Sequence, residues 1–143
     1  NLAPGGEVVT VDLPVEWDGS FGLDVPEGLR NVTDRRIVGA HYRDSRVSSK
    51  VRQVFGDSAT IDWSTLGGPF DLAFIDGNHS YDYVRMDTAN ACRHVRPGGV
   101  IAWHDYGTIE DVSRGVDEFG RELQAAVVLG TSLAVGTVPG ARK

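Results

Sequence analysis

The sequence predicts an α/β fold in which most strands of the sheet are parallel. Two short apolar runs, Leu72–Ile75 and Val100–Trp103, are separated by a segment with helical periodicity that ends at a glycine break. This order is typical of a strand–helix–strand crossover, which joins neighbouring parallel strands. The 143 residues and 41% apolar composition suit one core, so residues 1–143 are predicted to form a single domain.

The first strand is predicted at Glu7–Leu13, where alternating and then apolar residues run into Asp12. The next strand is predicted at Val51–Phe55. It ends in the turn Gly56-Asp57-Ser58-Ala59, whose composition is typical of a loop. Both predicted strands therefore carry an aspartate at or just beyond their carboxyl ends.

A helix of about four turns is predicted between the two apolar runs, because one face of it is apolar. The residues on that face are Val84, Thr88, Ala91, Cys92 and Val95. Ser80 is placed to cap the start of the helix, and Pro97-Gly98 is placed to end it.

A second packing helix is predicted at Glu110–Leu123, where Val112, Val116 and Phe119 recur at helical spacing. Ala125–Leu129 and Ser132–Val138 then form two closing strands joined by Gly130-Thr131. No internal repeat or linker interrupts this order, which agrees with one domain.

Four polar residues follow the two central strands: Asp76, His79, His104 and Asp105. The carboxyl ends of neighbouring parallel strands meet at one edge of the sheet, where ligands bind in α/β folds. Two carboxylates there suit a hard cation such as Mg²⁺. His79 could stand beside that cation and take a proton from a hydroxyl. The alternatives are that a carboxylate only caps a helix, and that His104 is a core histidine or merely orients Asp105.

The segments FIDGNHSYDYV and RPGGVIAWHDYG resemble the class I S-adenosylmethionine-dependent methyltransferases. Among these, the chain is most similar to the metal-dependent, macrocin-type O-methyltransferases, which act on sugar hydroxyls of natural products. The resemblance extends from about Gly5 to Val135. It implies a Rossmann-like fold with a mostly parallel sheet and an antiparallel C-terminal strand. It also implies that Asp76 and Asp105 hold Mg²⁺ and that His79 is the catalytic base.

The resemblance also implies roles in binding S-adenosylmethionine. Asp12 would bind the ribose hydroxyls. Asp57 would lie at the adenine, and Ser58 is a weaker candidate for the same role. Asp76 is included among the cofactor-binding residues as well as among the metal ligands. The family's first strand and glycine-rich loop have no counterpart in the sequence. We therefore expect a fragment that lacks the N-terminal strand, with a gap in the sheet where that strand would lie.

The predicted function is metal-assisted transfer of a methyl group from S-adenosylmethionine to a hydroxyl of a small molecule, such as a sugar or natural product. A non-catalytic or inactive methyltransferase-fold fragment is the main alternative. A metallophosphoesterase-like hydrolase is a weaker one, because Gly56-Asp57 and Gly77-Asn78-His79 match only part of its motifs.

Composition limits the partners. The net charge of −6 argues against nucleic acid and against an anionic membrane surface. A single cysteine, Cys92, excludes an internal disulfide framework and favours a reducing, cytoplasmic location. A homo-oligomer is compatible with the sequence.

Overall fold

The computed structural model describes residues 3–14, 16–30 and 38–140. Their contacts group into two compact units. The first unit comprises Asn1–Gly22 and Asn31–Ile61, and the second comprises Leu23–Arg30 and Asp62–Lys143. Each unit has its own sheet, and the two are described separately below.

The first unit is built on two parallel strands, β1 (Val8–Asp12) and β2 (Val51–Phe55). Strand β2 has the predicted bounds, and β1 lies within the predicted Glu7–Leu13. The pairing runs in register from Val8 opposite Val51 to Asp12 opposite Phe55. Asp12 therefore stands at the carboxyl end of its strand, as predicted.

The second unit alternates strands and helices and then closes with a hairpin. Its elements are β3 (Phe70–Ile75), α1 (Tyr81–His94), β4 (Val95–Trp103), α2 (Glu110–Gly120), β5 (Ala126–Val127) and β6 (Ala134–Thr137). The strand order is β3-β4-β6-β5, with β3 parallel to β4 and the remaining pairs antiparallel. The predicted crossover and the antiparallel C-terminal strand are both confirmed.

The end of helix α1 differs from the prediction. Val95 was expected on the helix, with Pro97-Gly98 as its stop, but the helix ends at His94 and Val95 has extended backbone angles, φ −86° and ψ 133°. Val95 pairs with Phe70 and is 4% exposed, so its β-branched side chain contributes to the core from the strand. A residue that precedes proline also disfavours helix, which places Arg96 in β4.

A hydrogen bond between two buried side chains connects α1 to β4. The indole N–H of Trp103 donates to the Thr88 hydroxyl at 2.9 Å, and that hydroxyl donates to the Val84 carbonyl at 2.7 Å. The pair lies in a core formed by the buried residues Val84, Ala91, Val95, Ile101, Trp103, Val112, Val116, Leu123, Ala134 and Val138. This contact fixes the last residue of β4, immediately before His104 and Asp105.

Strand β3 forms one edge of the four-stranded sheet. Its Leu72 and Phe74 side chains are 56% and 54% exposed. Within the described segments, every helix is too short or too polar to cross a membrane.

Candidate active site

The ends of β3 and β4 bring the predicted site residues of the second unit together. Ile75 pairs with Trp103, and the His104 backbone N–H donates to the Ile75 carbonyl at 3.1 Å. Asp76 and His104 are therefore the first residues beyond two strands that end side by side. A small cavity opens at this edge, with walls that include Asn78 and Val112.

Two imidazoles face two carboxylates at this position. Asp105 Oδ2 lies 3.1 Å from His79 Nε2 and 3.1 Å from His104 Nδ1. Asp76 Oδ1 lies 3.4 Å from His104 Nδ1 and 3.8 Å from His79 Nε2. All four polar residues that the sequence predicted at the strand ends thus form one cluster.

The turn that begins at Asp105 fixes the conformation of this residue. Its φ is 60°, in the left-handed region that few residues other than glycine occupy, although aspartate and asparagine tolerate it best. Its backbone carbonyl accepts hydrogen bonds from the N–H groups of Thr108 and Ile109. The Thr108 hydroxyl also lies 3.3 Å from Asp105 Oδ1. One carboxylate oxygen therefore contacts the turn while the other faces the imidazoles.

The cluster fits a divalent cation. Ligand atoms of Asp76, His79 and Asp105 all lie within 4.8 Å of one another. His79 Nε2 and His104 Nδ1 are buried atoms, and within the described residues neither has a hydrogen bond of good geometry. Metal–ligand bonds of about 2.1 Å at right angles separate neighbouring ligand atoms by about 3 Å, close to the shorter distances here.

Tyr106, which follows Asp105, is unsuited to act as a base. Its phenol donates a hydrogen bond to Asp117 Oδ1 at 2.8 Å. That bond, together with partial burial, raises the pKa of Tyr106 above its ordinary value of 10.0. The phenol is therefore protonated near neutral pH, and His79 is the better candidate.

In the first unit, Asp12 is oriented by a short chain of side chains. Gln53 donates through Nε2 to Asp12 Oδ2 at 2.7 Å, and the Tyr42 hydroxyl donates to Gln53 Oε1. Among the described residues, no hydrogen bond reaches Asp12 Oδ1, and the contact of Asp12 with ribose stays a prediction. Gln53 was not among the residues predicted to belong to the site.

Asp57 organises the turn that follows β2. It is 4% exposed, and its two oxygens accept the backbone N–H groups of Ala59 at 2.8 Å and Gly22 at 2.7 Å. A Cβ on Gly22 would lie 2.5 Å from the Thr60 methyl, so this close approach requires glycine. The contact with adenine stays a prediction, as does the weaker role of the half-buried Ser58.

The predicted cofactor residues therefore fall in different units. Asp12, Asp57 and Ser58 belong to the first unit, whereas Asp76 belongs to the second. Sequence reasoning missed Thr108 and also Ser132, whose hydroxyl lies 3.4 Å from His104 Nε2. Ser132 follows a different strand, so no local pattern connects it to the site.

The fold and the motifs agree with known proteins. Residues 1–106 match a family model described as a methyltransferase domain. No curated protein matches the chain. The family match favours the methyltransferase interpretation over the metallophosphoesterase alternative.

Similar solved structures include the cofactor-bound protein Rv0187 from MTB, at 21% identity and a TM-score of 0.67 over 94% of this chain and 62% of that one. A candidate O-methyltransferase from Klebsiella pneumoniae is 15% identical, with a TM-score of 0.68 over 97% of this chain and 64% of that one. The MycE methyltransferase of the mycinamycin biosynthetic pathway, solved with Mg and SAH, is 18% identical, with a TM-score of 0.53 over 96% of this chain and 46% of that one.

The chain thus spans less than two thirds of the length of these structures. Their identities are low, so the likeness concerns the fold, whereas the family model covers most of the sequence. The chain therefore belongs to the methyltransferase domain family and has the Rossmann-like fold of class I O-methyltransferases.

Proposed function

We propose that the chain is part of an S-adenosylmethionine-dependent O-methyltransferase that acts, with the help of a divalent cation, on a hydroxyl of a small molecule. The observation that carries this proposal is the cluster of Asp76, His79 and Asp105 at the ends of two parallel strands. A sugar or another natural product is the acceptor that the sequence motifs favour.

Asp76 and Asp105 would hold the cation, for which Mg²⁺ was the prediction from sequence. When bound, such a cation makes an alcohol more acidic and fixes its direction. Asp105 reaches the site from a strained turn that Thr108 stabilises, so its carboxylate is positioned before any ligand arrives. Because the carboxylate is already positioned, less entropy would be lost when the cation and the acceptor bind.

His79 would accept the proton of the acceptor hydroxyl at Nε2. Asp105 Oδ2, 3.1 Å away, would then stabilise the imidazolium that forms. When bound, S-adenosylmethionine would supply an electrophilic methyl group, with the new oxygen–carbon bond replacing the sulfur–carbon bond and S-adenosylhomocysteine as the leaving group.

Asp12 would bind the cofactor's ribose hydroxyls through its free oxygen, with Gln53 holding the other. Asp57 and Ser58 would lie at the adenine. Because Asp57 already accepts two backbone N–H groups, its contribution would come through the shape of the turn as well as through direct contact. Asp76 is the predicted cofactor contact of the second unit.

Calorimetric titration with S-adenosylhomocysteine, with and without Mg²⁺, tests the cofactor assignment. Methyl transfer to a panel of sugars and catechols, followed by mass spectrometry, tests the reaction. We expect micromolar binding that Asp12→Ala weakens and His79→Ala leaves nearly unchanged. We expect His79→Ala to lower turnover by about 100-fold or more, as for loss of a general base.

His41→Ala is the matched control, because His41 is an exposed histidine of the first unit. Full turnover by His79→Ala near pH 7 would rule out the base assignment. A folded chain that binds no S-adenosylhomocysteine would favour the non-catalytic alternative. Phosphodiester hydrolysis with added Mn²⁺ would instead support the hydrolase alternative.

A further inference from the structure

We propose that His104 is a metal ligand through Nδ1, and that this nitrogen makes the site prefer a first-row transition metal such as Fe²⁺ or Co²⁺ to Mg²⁺. The inference deepens the proposed function, since it concerns the cation of the same site. It assigns a role to a residue that the sequence left open between ligand, orienting group and core histidine.

The first argument is the position of Nδ1. This atom lies 3.1 Å from Asp105 Oδ2 and 3.4 Å from Asp76 Oδ1, so it closes a triangle with the two carboxylates that are expected to hold the cation. Both distances are close to the separations of about 3.0 to 3.5 Å that ligands show around one metal ion with bonds of 2.1 Å.

The second argument is the other nitrogen of the ring. His104 Nε2 lies 3.4 Å from the Ser132 hydroxyl. Metal-binding histidines usually donate their second ring N–H to such a partner, which fixes the tautomer and the ring orientation. We assign the tautomer with the proton on Nε2, which leaves an unprotonated Nδ1 at 3.1 Å from Asp105 Oδ2 and 3.4 Å from Asp76 Oδ1. That arrangement is repulsive unless a cation lies between them.

The third argument is the contrast with His79. Nε2 of His79 is 3.8 Å from Asp76 Oδ1, farther than His104 Nδ1. Within the described residues, the other ring nitrogen of His79 has no hydrogen-bond partner to fix its tautomer. His79 can therefore rotate and exchange protons as a base, while His104 is held as a ligand. Ser132 is itself anchored, because its carbonyl accepts the Tyr106 N–H at 2.9 Å.

The chemistry of these ligands determines which divalent cation the site binds more tightly. Mg²⁺ favours an octahedron of oxygen ligands and binds imidazole weakly. Imidazole suits Fe²⁺ and the later first-row metals, and the affinity of such a site rises from Mn²⁺ through Fe²⁺ and Co²⁺ to Cu²⁺. Two carboxylates and one imidazole therefore form a site for these metals, in which the nitrogen disfavours Mg²⁺.

The test is titration of the untagged 143-residue chain with Co²⁺ and, separately, with Mg²⁺, without S-adenosylmethionine or acceptor. Calorimetry gives the affinities, and the visible absorption of bound Co²⁺ reports the ligands. We expect Co²⁺ to bind at least tenfold more tightly than Mg²⁺. His104→Asp, which supplies only oxygen, should lower the Co²⁺-to-Mg²⁺ affinity ratio at least tenfold and change the absorption spectrum.

Ser132→Ala should weaken Co²⁺ binding about tenfold or more, as for loss of an outer partner of a ligand. His94→Ala, at a histidine outside the site, should leave Co²⁺ affinity within about twofold. Unchanged Co²⁺ affinity and spectrum in His104→Asp, with circular dichroism showing a folded chain, would overturn the proposal. Preference of the wild-type chain for Mg²⁺ would also overturn it, and would leave the proposed methyltransferase function standing. Absence of binding by either metal would overturn both metal assignments.

Discussion

Replacing Thr88 with valine should lower the free energy of unfolding by about 2 kcal/mol. Valine has nearly the same shape, but it removes the hydroxyl that accepts the Trp103 indole N–H at 2.9 Å. Thr88 and Trp103 are 0% and 1% exposed, so water cannot replace the lost partner. An unsatisfied buried donor costs roughly 1 to 3 kcal/mol, which sets the expected range.

Denaturation by urea, followed by circular dichroism, measures this loss, and a thermal scan should show a midpoint lower by roughly 5 to 10 °C. Thr65→Val is the matched control. The Thr65 hydroxyl also donates to a backbone carbonyl, that of Asp62 at 2.7 Å, but it is exposed. We expect the control to change the free energy of unfolding by less than about 0.5 kcal/mol.

A double-mutant cycle isolates the hydrogen bond. Phenylalanine at position 103 has no N–H, so Thr88→Val should cost about 1 to 2 kcal/mol less in the Trp103→Phe background than in the wild type. If Thr88→Val costs the same in both backgrounds, the bond between Trp103 and Thr88 contributes nothing measurable and the reasoning is wrong. Thr88→Ser, which retains the hydroxyl, should preserve most of the coupling.

Three further predictions follow from packing, burial and orientation. Gly115→Ala would place a Cβ 2.9 Å from Val84 Cγ1, so unfolding measurements should show a loss of about 1 to 3 kcal/mol that shrinks in a Val84→Ala background. Burial raises the pKa of the Cys92 thiol above its ordinary value of 9.0. Because the folded pKa is higher than the unfolded one, Cys92 adds stability below about pH 9, and this stability is lost as the pH rises through the folded pKa. Thiol labelling at pH 8 should therefore be much slower in the native state than in urea. Gln53→Leu leaves Asp12 Oδ2 without its donor, so calorimetry should show about tenfold weaker binding of S-adenosylhomocysteine, while unchanged affinity would mean that Gln53 does not orient Asp12.

The sequence predicted elements well where local signals agreed. Val51–Phe55 has the predicted bounds, because a short segment with β-branched and aromatic residues meets turn-forming residues at its end. The convergence of Asp76 and Asp105 could also be predicted, because parallel strands joined by a helix must end at the same edge of their sheet. These inferences needed only periodicity and topology.

Other features depended on contacts that no local pattern encodes. Val95 continues the helical periodicity of α1, yet pairing with Phe70 places it in a strand. The two backbone N–H groups that Asp57 accepts, from Gly22 and Ala59, include one that is 35 positions away in the sequence. The contact of Ser132 with His104 joins residues 28 positions apart, so only the folded hairpin shows it.

The open edge of strand β3 has a practical consequence for handling the protein. Leu72 and Phe74 are more than half exposed, and Asp71 is the only charged residue in the strand. Exposed apolar edge strands pair readily with other chains, and charges are what usually prevent this. Self-association through β3 would therefore limit the concentration at which the isolated chain stays dispersed, and a lysine at position 72 would raise that limit.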